Sequence, residues 1–508
     1  MKEADQPRDD GSMNTRSSSL DLSPAEMQEL SAQTMALVVD YFARVAELPV
    51  FPETSAGATL SRLGAELPLA GEPIKKLLND CRAMFDASRH NGHPRFFGYV
   101  ASPATAPGAF ADLISSALNA NVTSWRSGPA ATEVERLVVR WLGSLTGFSD
   151  DAQGLLMSGG SLANLTAILI AQRAKSHADA AHAGLWNSQT PMTIYASDQI
   201  HMSIPKAADV LGLGRNQVRL VASDERFRMD VKSLRARIER DQKNNLQPFC
   251  IVASAGTVNT GAVDALDEIG AVAREFGLWF HVDGAYGALA ALDPRKRQLF
   301  AGIEQADSIS LDCHKWLYTP LDAGCLLFRD EAAARSAFSA NEADYIKVLE
   351  QTAAESFAFW DYGIELSRRF RALKIWMTLR YYGLRKIREA ISEDISLAEY
   401  LAQRVSRAED FELLAPVELS ICCFRYVPRE IRVRLDSASA NQLAQINAEL
   451  DELNSHIMHG VQRGGEAYIS NATVKGKFAL RACITNFRTT PADLDGLLNI
   501  VREVAKRS

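Results

Sequence analysis

The sequence predicts an α/β protein built on a large, doubly wound, mostly parallel sheet, with a helical segment before it and a small α+β domain after it. Three observations carry this. Short β-rich runs alternate with amphipathic helical stretches through the middle of the chain. Glycines and polar residues gather where those runs hand over to helices. After about Tyr382 the alternation gives way to a mixed pattern. A chain of 508 residues is too long for one small core and suits a large unit with flanking parts.

The elements follow in order. Residues 1–23 are polar, rich in Ser, Asp and Arg, and lack the apolar stretch of a signal peptide, so a disordered leader is expected. Ser23-Pro24 is an N-cap followed by proline at the first helical position, and the helix runs through Met35, Val38, Val39 and Phe42. Loops and short helices fill residues 24–105, an N-terminal helical segment expected to make dimer contacts. Residues 106–382 form the large domain. Thr132–Leu145 reads as a helix there. Met192–Ser197, Val218–Val221, Phe249–Ser254, Leu278–Val282 and Ser308–Leu311 read as strands, with helices such as Val231–Asp241 and Leu266–Phe276 between them. Residues 383–508 form the small domain, with strands Leu419–Tyr426 and Phe478–Thr485 and helices Ala438–Val461 and Pro491–Ala505.

Composition narrows the function classes. At 47% hydrophobic and 23% charged, with a formal net charge of -7, the chain suits an enzyme and offers no basic footprint for nucleic acid. No run approaches the roughly 18 apolar residues of a membrane span. The seven cysteines, Cys81, Cys250, Cys313, Cys325, Cys422, Cys423 and Cys483, form no CxxC pair. That spacing points to reduced thiols in the cytoplasm rather than disulfides or a metal site.

Four motifs carry chemistry. Asp312-Cys-His-Lys-Trp316 follows a strand. Lysines are rarely buried unless paired or reacted, and His314 lowers the cost of losing the amine's proton, so Lys315 can form an imine with a carbonyl cofactor. A surface loop lysine is the plainer alternative. Trp279-Phe-His-Val-Asp-Gly-Ala-Tyr286 ends an apolar strand in an acid. Asp283 there suits a protonated pyridine nitrogen, with Gly284 and Ala285 leaving room for a flat ring; a helix N-cap is the alternative. Met157-Ser-Gly-Gly-Ser-Leu-Ala-Asn-Leu165 leads into an apolar helix, so Gly160 and Ser161 suit an anion at its start, although most such turns are only turns. In Tyr195-Ala-Ser-Asp-Gln-Ile-His201, His201 lies just past a strand and can stack on a ring or simply sit bonded in its loop. Together they supply a phosphate cup, a stacking imidazole, a carboxylate for a pyridinium and an imine-forming lysine. Pyridoxal 5′-phosphate (PLP) asks for all four.

With these motifs, and with His93-Pro-Arg-Phe-Phe-Gly-Tyr99, the stretch from Ser124 to Glu133, and Arg368-Arg-Phe-Arg-Ala-Leu-Lys374, the chain resembles the group II PLP-dependent amino-acid decarboxylases. The aromatic-L-amino-acid and glutamate decarboxylases belong to that family. The resemblance runs from about Leu30 to the C-terminus. It implies PLP-dependent transferase fold type I, a cytoplasmic homodimer with active sites at the subunit interface, and decarboxylation of a small-molecule L-amino acid. It implies that Lys315 is the Schiff-base lysine, Asp283 the partner of the pyridine nitrogen, and His201 the stacking histidine. Gly160 and Ser161 match the phosphate-binding pair, Ala285 the small residue on the other ring face, and His314 the histidine before the lysine. Asp312 stands where many relatives have Asn, and an acid there repels phosphate. Val258 replaces a threonine near the cofactor, with Thr257 and Asn259 as possible substitutes. Asn341-Glu-Ala-Asp-Tyr-Ile-Lys347 matches the catalytic loop, where Tyr345 returns a proton to Cα and favours decarboxylation over aldehyde formation. Asn91, Asn121 and Thr123 replace the Trp, Ile and Phe of the aromatic enzymes' pocket, Ser102 replaces a threonine, and Tyr99 and Phe97 remain. This polar lining favours a smaller or more polar side chain, or an aromatic one in another pose. Trp360 replaces an arginine after the loop, and Arg481 matches either an arginine near the substrate carboxylate or a domain contact. An aldehyde synthase, an aminotransferase and a catalytically silent PLP-binding dimer partner are the competing readings.

Overall fold

The capping chemistry at the start of the first helix works as its residue types dictate. Ser23 Oγ accepts the Glu26 amide at 3.3 Å, the Glu26 carboxylate takes the Ser23 amide at 2.8 Å, and Pro24 opens the helix. The structure, a computed structural model, describes residues 20–63, 67–176, 184–185, 190–339 and 355–507. The chain divides into two units, Met1–Val45 with Thr54–Ser88, and Ala46–Glu53 with Arg89–Ser508. The first unit carries α1 (Pro24–Arg44), α2 (Ala56–Leu63) and α3 (Ile74–Asp86). Within it the Tyr41 and Phe85 rings meet at 4.9 Å and Asp40 pairs with Arg82 at 2.8 Å.

The second unit opens with α4 (Ala106–Leu118), α5 (Pro129–Thr146), β1 (Gln153–Met157) and α6 (Gly160–Lys175). Alternation follows through β2 (Met192–Ser197), α7 (Ser203–Val210), β3 (Val218–Val221), α8 (Val231–Lys243), β4 (Gln247–Ser254), α9 (Leu266–Phe276) and β5 (Trp279–Asp283). Next come β6 (Ser308–Asp312), the single turn α10 (Cys313–Trp316), β7 (Gly324–Phe328) and α11 (Glu331–Phe338). The seven strands form one sheet in the order β1-β7-β6-β5-β4-β2-β3. Only β7 runs against its neighbours. Strands β2, β5, β6 and β7 are buried along their whole length, as expected of a sheet covered on both faces. β1 and β7 add to the strands expected from sequence.

The parallel order brings the carboxyl ends of β4, β5 and β6 together. Asp283 at the end of β5 faces Ser254 of β4 on one side and Ser310 of β6 on the other. Ligands of such sheets bind at these ends. Gly324 of β7 lets the turn before α6 approach: a Cβ there would lie 2.3 Å from Gly159 Cα. Glu135 and Arg368 form a buried ion pair, and Arg368 also donates to the Leu156 carbonyl at 2.8 Å, anchoring β1.

Beyond the large sheet, α12 (Ala372–Arg407) is broken at Gly383, whose φ is +73°. β8 (Phe411–Leu413), β9 (Ile421–Tyr426), α13 (Arg429–Asp436), α14 (Ala440–Gly464), β10 (Ser470–Val474), β11 (Lys477–Cys483) and α15 (Pro491–Ala505) follow. Their strands make a second, antiparallel sheet in the order β10-β11-β9-β8. Phe97, Leu401, Phe424, Ile457, Leu480 and Leu497 pack in its core. Among the described residues no helix is long and apolar enough to cross a membrane.

Candidate active site

One cavity, of about 550 Å³, lies at the carboxyl ends of the parallel strands. That size is ordinary for a small-molecule site. Gly160, Ser161, His201, Asp283, Ala285, Asp312, His314 and Lys315 all line it, so the start of α6, the turn after β2, the ends of β5 and β6 and the turn α10, five elements or their ends, converge on the residues singled out by chemistry.

Asp283 is 8% exposed. Its Oδ2 accepts from Asn164 Nδ2 at 3.0 Å, and its Oδ1 accepts from Ser310 Oγ and the Ala285 amide, each at 3.2 Å. All three donors are neutral. A nearly buried carboxylate served by neutral donors and facing a cavity suits a cationic N–H ligand.

Behind Asp283 lies a set of bonds that the sequence motifs do not announce. Asn164 Nδ2 also donates to Ser203 Oγ at 2.9 Å, and Ser203 Oγ lies 2.9 Å from His201 Nδ1. Asn164 Oδ1 lies 2.9 Å from His281 Nε2, and His281 Nδ1 lies 2.9 Å from Ser308 Oγ. Trp279 Nε1 donates to the same Ser308 oxygen at 2.9 Å. Burial pushes the His281 pKa down to about 4, so the ring is neutral. Asn164 and His281 fall inside quoted motifs, but their spacing gave no signal of partners 117 and 119 positions away.

At the other side, Lys315 Nζ lies 2.9 Å from Asp312 Oδ2. Asp312 Oδ1 accepts the Gly160 amide at 2.7 Å. The acid thus sits directly on the start of α6. Burial lowers the His314 pKa, and its Nδ1 accepts the Ala323 amide at 3.2 Å. Gly160 must lack a side chain, because a Cβ there would meet the Ala285 methyl at 2.7 Å.

Arg481 reaches the cavity from β11 and is 3% exposed. Its Nε donates to the Val258 carbonyl at 3.0 Å and its Nη1 to the Tyr99 carbonyl at 2.8 Å, while Nη2 has no hydrogen-bond partner among the described residues. Thr257, Val258 and Asn259 line the same wall. The Thr257 hydroxyl is engaged within its own loop, 3.0 Å from Thr260 Oγ1.

The expected substrate pocket is only partly here. Tyr99 lines the cavity, whereas Asn91, Ser102, Asn121 and Thr123 do not. Asn91 accepts from Arg89 at 3.1 Å, and Ser102 donates to the His314 carbonyl at 2.8 Å. Asn121 accepts the Arg368 amide at 2.8 Å and lines a separate cavity with Ser115, Asn119 and Arg369; Thr123 is buried. Phe97 is buried in the core of the small sheet. Tyr345 and its loop lie outside the described residues.

A doubly wound sheet with a lysine, a neutral-bonded acid, a histidine and a helix start around one cavity defines a PLP enzyme of fold type I. Residues 57–427 match the pyridoxal-dependent decarboxylase conserved domain. The chain is 35% identical to an aromatic-L-amino-acid decarboxylase of Bacillus atrophaeus over 96% of its own length and 98% of that protein's. It is 31% identical to a phenylacetaldehyde synthase of Petunia hybrida over 98% and 97% of the two chains. Among solved structures, Oryza sativa TDC with PLP and tryptamine aligns with a TM-score of 0.87 at 27% identity, over 96% of this chain and 99% of that one. The chain belongs to the pyridoxal-dependent decarboxylase family, and its cofactor is PLP.

Proposed function

We propose that this protein removes CO2 from an L-amino acid and releases the amine. The observation that carries the reading is the convergence of the Lys315 amine, the Asp283 carboxylate and the Gly160-Ser161 helix start on one cavity. Bound PLP supplies an acceptor for the electron pair that departing CO2 leaves on Cα. The chain's own residues do the rest. Lys315 would hold the cofactor by its amine, at the carbonyl that a substrate amine also addresses. Asp283 keeps a proton on the ring nitrogen. Gly160 and Ser161 would hold the phosphate, and Ala285 would leave room for a flat ring. His201 would stack on the ring and orient the substrate carboxylate. Tyr345 delivers the proton that replaces CO2.

The relatives include both decarboxylases and aldehyde synthases. Tyr345 favours the amine product. The substrate is an L-amino acid with an aromatic or a smaller, more polar side chain. The active form is a cytoplasmic homodimer whose second subunit brings Asn121 and Thr123 to the pocket. Support comes from their position off the cavity of their own chain and from the exposed Leu113, Ile114 and Leu118 of α4. The large domain spans residues 106–382 and the small one 383–508, with Gly383 at the joint. The test is incubation of holoenzyme with a panel of L-amino acids, measuring CO2, amine, aldehyde and peroxide. CO2 with amine supports the reading, and aldehyde with peroxide replaces it by the synthase.

A further inference from the structure

We propose that Asn164 is a positioning residue that sets the proton arrangement of two cofactor-facing groups at once, the Asp283 carboxylate and the His201 imidazole, through a hydrogen-bond chain starting at Trp279. The inference rests on the roles assigned above to Asp283 and His201.

The direction of the chain follows from its ends. The Trp279 indole can only donate, and it donates to Ser308 Oγ at 2.9 Å. The Asp283 carboxylate can only accept, and it accepts from Asn164 Nδ2 at 3.0 Å. Turning the Asn164 amide over would set its carbonyl against that carboxylate, so its orientation is fixed. Asn164 Oδ1 then faces His281 Nε2 at 2.9 Å, and that nitrogen must carry the ring proton. In a neutral ring His281 Nδ1 accepts, so Ser308 donates its hydroxyl proton there at 2.9 Å. Every link from Trp279 to Asp283 is satisfied in a single direction.

The branch to His201 is fixed in the same way. The second Asn164 N–H goes to Ser203 Oγ at 2.9 Å. Ser203 is left with its own proton to donate, and His201 Nδ1 lies 2.9 Å away. The Ser203 backbone N–H also points at His201 Nδ1, at 3.2 Å, and can only donate. Nδ1 is therefore an acceptor, which places the His201 ring proton on Nε2. Asn164 is buried in the cavity wall and both ends of its amide are used, so it couples the two groups.

The test uses holoenzyme labelled in its histidine ring nitrogens and read by NMR, with His201→Asn and His281→Asn variants for assignment. Protons on Nε2 at both His201 and His281 are expected, and a proton on Nδ1 of either overturns the proposal. Two substitutions add a functional readout. Asn164→Ala removes the donor, and Asn164→Asp keeps the shape but sets an acceptor against Asp283. At about pH 8 both are expected to lower kcat about 10- to 100-fold with KM changed by less than about threefold. The Asn164→Asp defect should shrink at lower pH, where its protonated carboxyl donates again. Near-normal activity of Asn164→Asp at every pH, beside an impaired Asn164→Ala, would show that the residue only fills space and would overturn the proposal. If Asn164→Ala does not fold, the NMR result and Asn164→Asp still decide. Failure of the unaltered enzyme to release CO2 would sink the decarboxylase reading instead, and leaves the NMR test intact.

Discussion

Lys315 Nζ lies 2.9 Å from Asp312 Oδ2, while the other oxygen of the same carboxylate takes the Gly160 amide at 2.7 Å. An internal anion thus holds two donors, the lysine and a helix-start amide, that a phosphorylated cofactor also addresses. The sequence had flagged the acid at this position as out of keeping with a phosphate neighbour, and its bonds explain what it does: it ties the turn after β6 to the start of α6.

Removing that charge should tighten cofactor binding. Asp312→Asn keeps an oxygen for the Gly160 amide and replaces like-charge repulsion with an N–H donor. We expect PLP affinity to rise about tenfold, equivalent to about 1.4 kcal/mol. Absorbance titration of the apoprotein measures it. Unchanged or weaker binding would show that the carboxylate does not face the phosphate.

Much of this was legible in the chain because the central strands are buried on both faces. Such strands read as continuous apolar runs, so Met192–Ser197 matches residue for residue; the edge strand Val218–Val221, with Arg219 and Leu220 not buried, matches too, as do the helices Leu266–Phe276 and Pro491–Ala505. β1 and β7 are masked because each carries a glycine, Gly154 or Gly324, and its apolar residues are mostly Leu, Met, Cys and Phe with none β-branched. The site residues at strand ends were visible as polar breaks in apolar runs. Asn164 was not, because its importance lies in bonds to residues remote in sequence. That Asn91, Ser102, Asn121 and Thr123 lie off the cavity of their own chain is hidden from the sequence for a related reason. Nothing local in Asn91 or Asn121 says which cavity the surrounding chain turns toward, and Asn121 is engaged by Arg368.

Lys315→Ala should abolish multiple turnover and the absorbance band of the cofactor imine. Lys315→Arg is the companion variant: it keeps a cation for Asp312 but cannot form an imine, so it should fold normally and be equally inactive. Steady-state CO2 release with a spectrum of each variant checks this. Sustained turnover by either one would remove Lys315 from the chemistry.

Arg481 joins two roles that separate experimentally. Its Nε and Nη1 hold the Val258 and Tyr99 carbonyls to β11, and its Nη2 has no hydrogen-bond partner among the described residues. Arg481→Met leaves those acceptors buried and unpaired, costing roughly 1–3 kcal/mol each at most. If the free N–H also receives the substrate carboxylate, KM should rise at least about tenfold with kcat less affected. Thermal melts together with kinetics divide the two effects. A lowered Tm with unchanged KM would leave Arg481 as a domain contact alone.

Asp394 gives the protein a pH dependence of stability with a definite sign. It is fully buried on α12, and Tyr318, three residues after Lys315, donates to its Oδ2 at 2.8 Å. Burial raises its pKa to about 7, outweighing the Tyr318 bond and the Asn486 amide, which lower it; Glu393 adds to the rise. The ordinary carboxyl pKa is 3.8. Between these values the folded chain holds a proton that the unfolded chain releases. Stability from Asp394 is therefore full below about pH 4 and is lost as pH climbs toward 7. Asp394→Asn keeps an acceptor for Tyr318 and carries no charge to bury. Relative to the unaltered protein it should stabilise by roughly 1–3 kcal/mol at about pH 8 and by almost nothing at about pH 4. Melting temperatures of both proteins across that range measure the difference. A gain independent of pH would mean that Asp394 does not titrate in the folded state, and a loss at about pH 8 would mean that its charge is stabilised by partners after all.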